Sequence, residues 1–192
     1  MADDPTQEVW LVRHAETEWS RDGRHTGRTD VALTDKGRDA ARGLGDRMRG
    51  RSFVLVLTSP LERARETAQL AGIGDHAEVR DDLLEWDYGE YEGLTTAEIR
   101  KPRPDWCLWT DGAPGGETPE AVSARCDQII AEVLGARGDV ALLAHGHVLR
   151  ALAARWIEQG VAFGARLFLW TGTLSVLGFE RELRVVRSWN AI

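Results

Sequence analysis

Three short apolar runs organise the chain. They span residues 9–12, 53–57 and 139–144, and each is too short for a helix but suits a strand buried on both faces. Segments with apolar residues at helical spacing separate and follow them, at residues 38–48, 61–68, 120–134 and 148–157. Strands that alternate with helices are typical of an α/β fold built on a parallel sheet.

The rest of the chain completes this pattern. A short edge strand is predicted at residues 77–80, and residues 173–188 predict an antiparallel hairpin that turns near residues 180–182. Thr34 and Ser59 are predicted helix N-caps. We therefore expect a three-layer αβα sandwich around a mostly parallel sheet with an antiparallel edge.

Two segments interrupt the regular alternation. Residues 17–28 are polar and rich in turn residues, which predicts a loop over the end of the first strand. Residues 95–118 predict an insertion with two short helices, broken at Pro102 and Pro104, that forms a lid or a substrate wall. Trp106 and Trp109 in this insertion are predicted to pack against the core. No repeat or linker divides the chain, so residues 1–192 are predicted to form one domain.

Charge and cysteine content narrow the classes of partner. The 24 Lys and Arg residues against 31 Asp and Glu residues give a net charge of -7, which argues against nucleic acid and anionic membranes as partners. No apolar run reaches membrane-spanning length, and the acidic residues 1–5 lack a secretory signal. Cys107 and Cys126 are expected to be free thiols in a reducing cytoplasm. The oligomeric state, a homo-oligomer included, stays open.

The ends of the three strands carry chemically reactive or charged side chains. Arg13 and His14 follow the first strand, Arg63 lies in the first helical turn after the second, and His145 follows the third. In open α/β sheets ligands bind at the carboxyl ends of the strands, so these groups are expected to meet in one crevice. Each has an ordinary alternative, such as a polar strand end or, for Arg63, a solvated surface cation.

Further candidate site residues lie in two loops and at the start of a helix. Thr26 and Gly27 offer a hydroxyl and a backbone N–H to a phosphate, or form an ordinary turn. The acidic and aromatic residues 81–93 include Glu85, a candidate general acid, although a solvent-facing loop fits equally. His147, two residues after His145, lines a pocket or merely begins a helix.

Three motifs resemble the histidine phosphatase superfamily, in its phosphoglycerate mutase-like branch. They are Leu-Val-Arg-His-Ala-Glu-Thr-Glu-Trp at residues 11–19, Ser-Pro-Leu-Glu-Arg-Ala-Arg-Glu-Thr-Ala at residues 59–68, and Leu-Glu-Trp-Asp-Tyr-Gly-Glu-Tyr-Glu-Gly at residues 84–93. Ala15 stands where the family usually has Gly. The resemblance implies His14 as the phosphorylated nucleophile, Arg63 as a phosphoryl ligand and Glu85 as the proton donor.

The chemistry of these residue types agrees with the resemblance. Guanidinium groups of Arg13 and Arg63 bind phosphate oxygens, and their charge keeps His14 neutral for attack. His145 would stabilise the transferring phosphoryl group. Substrate binding is expected at Arg13, Arg63, Thr26, Gly27, Tyr88, Gly146 and His147. The predicted cycle needs no cofactor and no metal, because His145 and His147 lack nearby metal ligands.

Differences from the phosphoglycerate mutases indicate which branch of the family this chain resembles. Mutases carry an Arg pair that grips a substrate carboxylate, and residues 95–103 contain no such pair. They also have Asn where this chain has His147. The Gly-Gly-Glu-Thr run at residues 115–118 and residues 144–150 resemble the acid phosphatase and sedoheptulose-bisphosphatase-like branches. We therefore expect a phosphatase of small phosphorylated metabolites, with phosphoglycerate mutase as the alternative and an inactive phospho-ligand-binding module as a remote one.

Overall fold

The computed structural model describes residues 6–191, so the acidic residues 1–5 of the signal-peptide argument lie outside the described chain. Six strands form one sheet: β1 Val9–Arg13, β2 Leu55–Thr58, β3 Glu78–Val79, β4 Val140–Ala144, β5 Leu174–Glu180 and β6 Leu183–Ala191. Their order across the sheet is β3-β2-β4-β1-β5-β6. The first four strands are parallel to one another. Strand β5 pairs antiparallel with β1, and β6 pairs antiparallel with β5. The predicted α/β class and its antiparallel edge are confirmed.

Helices cover both faces of this sheet. They are α1 Glu18–Arg21, α2 Asp35–Arg47, α3 Glu62–Leu70, α4 Thr96–Arg100, α5 Leu108–Asp111, α6 Pro119–Gly135 and α7 Gly146–Trp156, with single 3₁₀ segments at Asp81–Leu83, Gly89–Tyr91 and Val161–Arg166. As predicted, Thr34 caps α2, because its hydroxyl accepts a hydrogen bond from Gly37 N–H at 3.0 Å.

The core lies in two layers because side chains alternate across each strand. In β1, Val9 and Leu11 pack with α6 and α7, whereas Trp10 and Val12 face α2 and α3. This alternation produces the predicted three-layer arrangement. Neighbouring β1 and β4 are almost wholly buried, which explains why both read as continuous apolar runs.

Several sequence-based boundaries were wrong. The second strand begins at Leu55 because Val54 is 59% exposed. The loop at residues 17–28 contains the one-turn helix α1, which a reciprocal cap between Thr17 and Ser20 stabilises. Helix α3 begins after Leu61, so Ser59 is not its N-cap. Helix α7 begins at Gly146, two residues earlier than predicted.

The insertion folds as its sequence predicts, with α4 and α5 on either side of the two prolines. Trp106 and Trp109 are both buried in the core. Cys107 and Cys126 are free, as expected, and burial raises the pKa of the Cys126 thiol to about 12. Among residues 6–191, no helix is long and apolar enough to cross a membrane.

Candidate active site

His14 lies at the end of β1 with one ring nitrogen unprotonated. Its backbone N–H donates to Ala144 O at 2.9 Å, which continues the β1–β4 ladder by one residue. Its Nδ1 lies 2.8 Å from Ala15 O. Because a carbonyl oxygen only accepts, Nδ1 must carry the ring proton, and the lone pair is on Nε2. The residue is only 4% exposed, so the lone pair on Nε2 is desolvated and fixed in position, and it can act as a nucleophile.

Three effects keep His14 neutral. Burial lowers its pKa well below the usual value, and the positive charges of Arg63 and Arg13 lower it further. The hydrogen bond to Ala15 O acts weakly in the opposite direction. The imidazole therefore keeps its lone pair across the physiological pH range.

Arg13 lies against the first turn of α7. A Cβ on Gly146 would approach Arg13 Cζ to 3.1 Å, so glycine at this position allows the guanidinium to lie against the helix start. Nη1 donates to Leu169 O. In the described part of the chain, Arg13 Nε is buried without a hydrogen-bond partner. Arg13 therefore has N–H groups to offer a bound anion.

Arg63 is fully buried, and the protein itself uses most of its donors. Nε donates to His145 Nδ1 at 3.1 Å, and Nη1 donates to Thr29 O at 2.8 Å. Nη2 donates to the carbonyl oxygens of Thr26 and Gly27, both at 3.0 Å. The alternative of a solvated surface cation is wrong, since Arg63 has no exposed surface. Four of its five N–H groups hold the residue 26–29 loop and His145.

His145 is held between Arg63 and Ser59. Since Nδ1 accepts from Arg63, Nε2 carries the proton and donates to Ser59 Oγ at 2.7 Å. Burial lowers the pKa of His145 well below its usual value, and Arg63, His14 and Arg13 lower it further. Its ring centroid lies 5.1 Å from that of His14. His145 is thus a neutral group directly beside His14.

Glu85 accepts hydrogen bonds from the N-terminus of α7. Oε1 accepts from Val148 N–H and Trp86 N–H, both at 2.9 Å, and Oε2 accepts from His147 N–H at 3.0 Å. The first N–H groups of a helix have no partner within the helix, so a carboxyl group satisfies them well. The side chain is 4% exposed, and the solvent-facing alternative for this residue is wrong.

A buried ion pair fixes the segment that carries Glu85. Arg125 donates through Nη1 to Asp82 O at 2.8 Å and Leu84 O at 2.7 Å. Its Nε and Nη2 pair with Glu117 at 2.8 and 3.0 Å. Glu117 also accepts from Asp87 N–H at 2.8 Å. The chain before and after Glu85 is therefore attached to α6.

Arg13, His14 and Glu85 border a cavity of about 220 Å³, which we call the site cavity, whereas Arg63 and His145 are not among its lining residues. It is lined by Arg13, His14, Ser20, Gly23, Arg24, His25, Thr26, Glu85, Tyr88, Thr96 and His147. The sequence analysis had not identified Ser20, Gly23, Arg24, His25 or Thr96 as site residues. The only signal for His25 was its position next to Thr26, since a histidine in a turn-rich loop has no distinctive spacing.

The prediction of a free N–H at Gly27 was wrong. That N–H donates to both carboxylate oxygens of Glu92, each at 2.9 Å. A Cβ at Gly27 would lie 2.8 Å from Trp86 O, so the loop packs too closely for any larger residue. Gly27 supports Arg63 through its carbonyl oxygen, while Thr26 lines the site cavity and donates to Arg24 O at 3.2 Å.

No group of three or more His, Cys, Asp or Glu side chains in residues 6–191 has a geometry that could hold a metal ion. His145 and His147 do not converge, because His145 bonds to Ser59 and Arg63 while His147 Nδ1 lies 2.7 Å from the Tyr88 hydroxyl. The positive charge near His14 comes from arginine.

Comparisons with known proteins show which family the chain belongs to. The model of the histidine phosphatase superfamily, branch 1, matches residues 9–192. An acid phosphatase of Mycobacterium tuberculosis is 44% identical over 180 residues, which are 91% of this chain and 87% of that protein. Sedoheptulose 1,7-bisphosphatase of Saccharomyces cerevisiae is 37% identical over 79% of this chain and 68% of its own length.

A solved structure of an open reading frame product from Mycobacterium tuberculosis superimposes with a TM-score of 0.92 and 40% identity. The match covers 97% of this chain and 98% of that one. The protein therefore belongs to branch 1 of the histidine phosphatase superfamily, as its motifs indicated. It is a phosphatase.

Proposed function

We propose that this protein is a metal-independent phosphomonoesterase that hydrolyses small phosphorylated metabolites, sugar phosphates above all, through a phosphohistidine at His14. One observation carries the proposal: the unprotonated Nε2 of His14 lies in a cavity that also contains the Arg13 guanidinium and the Glu85 carboxyl. A nucleophile, a cation and an acid around one small cavity suit a phosphate monoester.

In the first step His14 Nε2 attacks the phosphorus atom, and the bond between phosphorus and the ester oxygen breaks. Glu85, protonated at this stage, gives its proton to the leaving oxygen. Arg13 binds the phosphoryl oxygens with its free N–H groups. Arg63 has one N–H left beyond its four bonds to the protein, so it contributes positive charge and at most one contact.

In the second step Glu85, now a carboxylate, takes a proton from water as the water oxygen attacks the phosphohistidine. The bond between phosphorus and His14 Nε2 breaks and inorganic phosphate leaves. The one N–H of His145, which donates to Ser59 Oγ in this structure, changes partner to a phosphoryl oxygen and stabilises its charge in both steps. Thr26, Tyr88 and His147 form the cavity wall that receives the rest of the substrate, and Gly146 allows Arg13 its position.

His14→Ala tests the proposal, with the exposed His76→Ala as the matched control. Phosphate release is measured across a panel of sugar phosphates, together with isomerisation of 3- to 2-phosphoglycerate. Acid-labile phosphate on the protein is trapped in parallel. We expect phosphate release and a phosphoenzyme in the parent and His76→Ala, and neither in folded His14→Ala. Substantial turnover by His14→Ala would refute the nucleophile, and dominant isomerisation by the parent would make the protein a mutase.

A further inference from the structure

The His147 ring is held rigidly in the wall of the site cavity. Its centroid lies 5.4 Å from that of Trp109, 5.8 Å from that of His25 and 5.8 Å from that of Tyr88. The side chain keeps 22% of its surface exposed, and it lines the site cavity. A ring packed against three other rings cannot reorient freely, so one edge of the imidazole faces the site cavity.

Tyr88 decides which nitrogen of His147 carries the proton. Its hydroxyl lies 2.7 Å from His147 Nδ1, and Tyr88 is only 1% exposed. Nδ1 is the one hydrogen-bond partner of this hydroxyl within residues 6–191. If the hydroxyl accepted from Nδ1–H, its own buried hydrogen would have no acceptor, which is unfavourable. Tyr88 O–H therefore donates to Nδ1, and Nε2 carries the proton.

The electrostatics agree with this assignment. Burial lowers the pKa of His147 well below its usual value, with further contributions from Arg150, His25 and Arg13. Burial, followed by the charge of Glu85, raises the pKa of Tyr88 well above its usual value. A neutral imidazole beside a protonated phenol is the state that the Tyr88 O–H to Nδ1 bond requires.

The His147 ring lies beside the proposed acid. The His147 backbone N–H binds Glu85 Oε2 at 3.0 Å, and Nδ1 lies 3.9 Å from the same oxygen. Nε2 lies on the other side of the same five-membered ring, one ring width from Nδ1. It makes no hydrogen bond to any other group in the described chain.

We infer that His147 is a specificity-determining residue whose Nε2–H, oriented by Tyr88, recognises a hydroxyl oxygen on the carbon next to the phosphoester carbon. The inference rests on the proposed function, in which Glu85 protonates the leaving oxygen. His147 lines the site cavity and binds this acid through its backbone N–H, so we place its free Nε2–H beside the atoms next to the scissile bond. A substrate with an oxygen there satisfies the donor, whereas an alkyl ester leaves it desolvated and unpaired, so polyol and sugar phosphates are favoured.

Two phosphate esters that differ in their hydroxyl groups test this selectivity: sn-glycerol 3-phosphate and n-propyl phosphate. The variant is Tyr88→Phe/His147→Phe, which removes both partners and leaves no buried hydroxyl unpaired. We expect kcat/KM for glycerol phosphate to fall about tenfold, the size of one hydrogen bond. For propyl phosphate we expect kcat/KM not to fall, because the variant removes a donor that this ester leaves unpaired.

Tyr88→Phe alone tests the orienting role, and Tyr91→Phe is its matched control. Tyr91 is the other of the two tyrosines and bonds to Arg103 at 3.0 Å, outside the site cavity. The readout is the ¹⁵N NMR spectrum of the histidine rings. We expect the Nε2–H form of His147 in the parent and in Tyr91→Phe, and a mixture of the two neutral forms in Tyr88→Phe.

The outcomes separate the two proposals. If the parent forms a phosphoenzyme but the double variant loses equal activity on both esters, the specificity role fails while the proposed function stands. An Nδ1–H form of His147 in the parent also overturns the inference, whatever the activities, and this measurement needs no variant to fold. If the parent hydrolyses neither ester and forms no phosphoenzyme with any phosphate ester, the proposed function fails, and this inference with it.

Discussion

Glu85→Gln separates the two proposed chemical steps, and the structure gives the size of its structural effect. The carboxyl group accepts three backbone N–H bonds, two at Oε1 and one at Oε2. Glutamine has one acceptor oxygen and one NH₂ group. If its oxygen keeps the Trp86 and Val148 bonds, its NH₂ must face the His147 N–H, where donor meets donor.

This conflict sets the expected loss of stability. One hydrogen bond disappears and one buried N–H is left unsatisfied, which together cost on the order of 1–3 kcal/mol. For a chain of this length each kcal/mol lowers Tm by about 2–4 °C, so we expect Tm to fall by roughly 2–12 °C. A domain with a typical free energy of unfolding of about 5–15 kcal/mol stays folded at room temperature.

The kinetic effect depends on the leaving group. A sugar alkoxide needs a proton as its bond to phosphorus breaks, and loss of a general acid slows such a step by roughly 10²- to 10⁴-fold. A nitrophenolate leaves without help. The second step needs a base for water whatever group has left, and glutamine cannot serve. With p-nitrophenyl phosphate the variant should therefore phosphorylate His14 quickly and then stall.

Stopped-flow absorbance measures this as a burst of one nitrophenol for each active site, followed by slow turnover. Phosphohistidine accumulates on the variant over the same period. Glu90→Gln is the matched control, because Glu90 lies exposed in the same segment and its variant should behave like the parent. Equal slowing with both kinds of substrate and no burst would show that Glu85 is not the acid, and Asp87 would be examined next.

Three further predictions follow from the site. Lysine has three N–H donors and cannot reproduce the four bonds of Arg63, so Arg63→Lys should lower kcat/KM roughly 30- to 1000-fold. The matched change at an exposed position, Arg65→Lys, should not lower kcat/KM. Equal activity of the two lysine variants would refute the prediction for Arg63. Chelators should leave activity unchanged, whereas loss that zinc or magnesium restores would contradict the metal-free cycle. Burial lowers the pKa of His25 from 6.5 to about 4. As the pH falls through this range, the unfolded state binds a proton at His25 before the folded state does, so stability is lost. His25→Gln removes this contribution. The decrease in unfolding free energy between about pH 7 and about pH 5, measured by urea denaturation, should therefore be about 2 kcal/mol smaller than in the parent. An equal decrease in both proteins would contradict the prediction.

The strands, the layers and the position of His14 could be predicted from the sequence. Apolar runs such as residues 9–12 and residues 140–144 are local signals, and burial on both faces admits few other structures. Since parallel strands end at one edge of the sheet, Arg13 and His14 could be placed beside His145 from the sequence. The β1–β4 register, in which Arg13 pairs with Ala144, has this geometry.

What each of these groups binds could not be predicted from the sequence. Arg63 bonds to carbonyl oxygens 34 to 37 residues away, and Glu85 bonds to backbone N–H groups 62 and 63 residues away. Such bonds depend on how loops close over the sheet, and loop conformation has no periodic signal in the sequence. For the same reason His25 was missed and the N–H of Gly27 was given to a ligand, although Glu92 binds it. Local periodicity determines the elements, whereas side-chain hydrogen bonding depends on contacts that form only once the chain has folded.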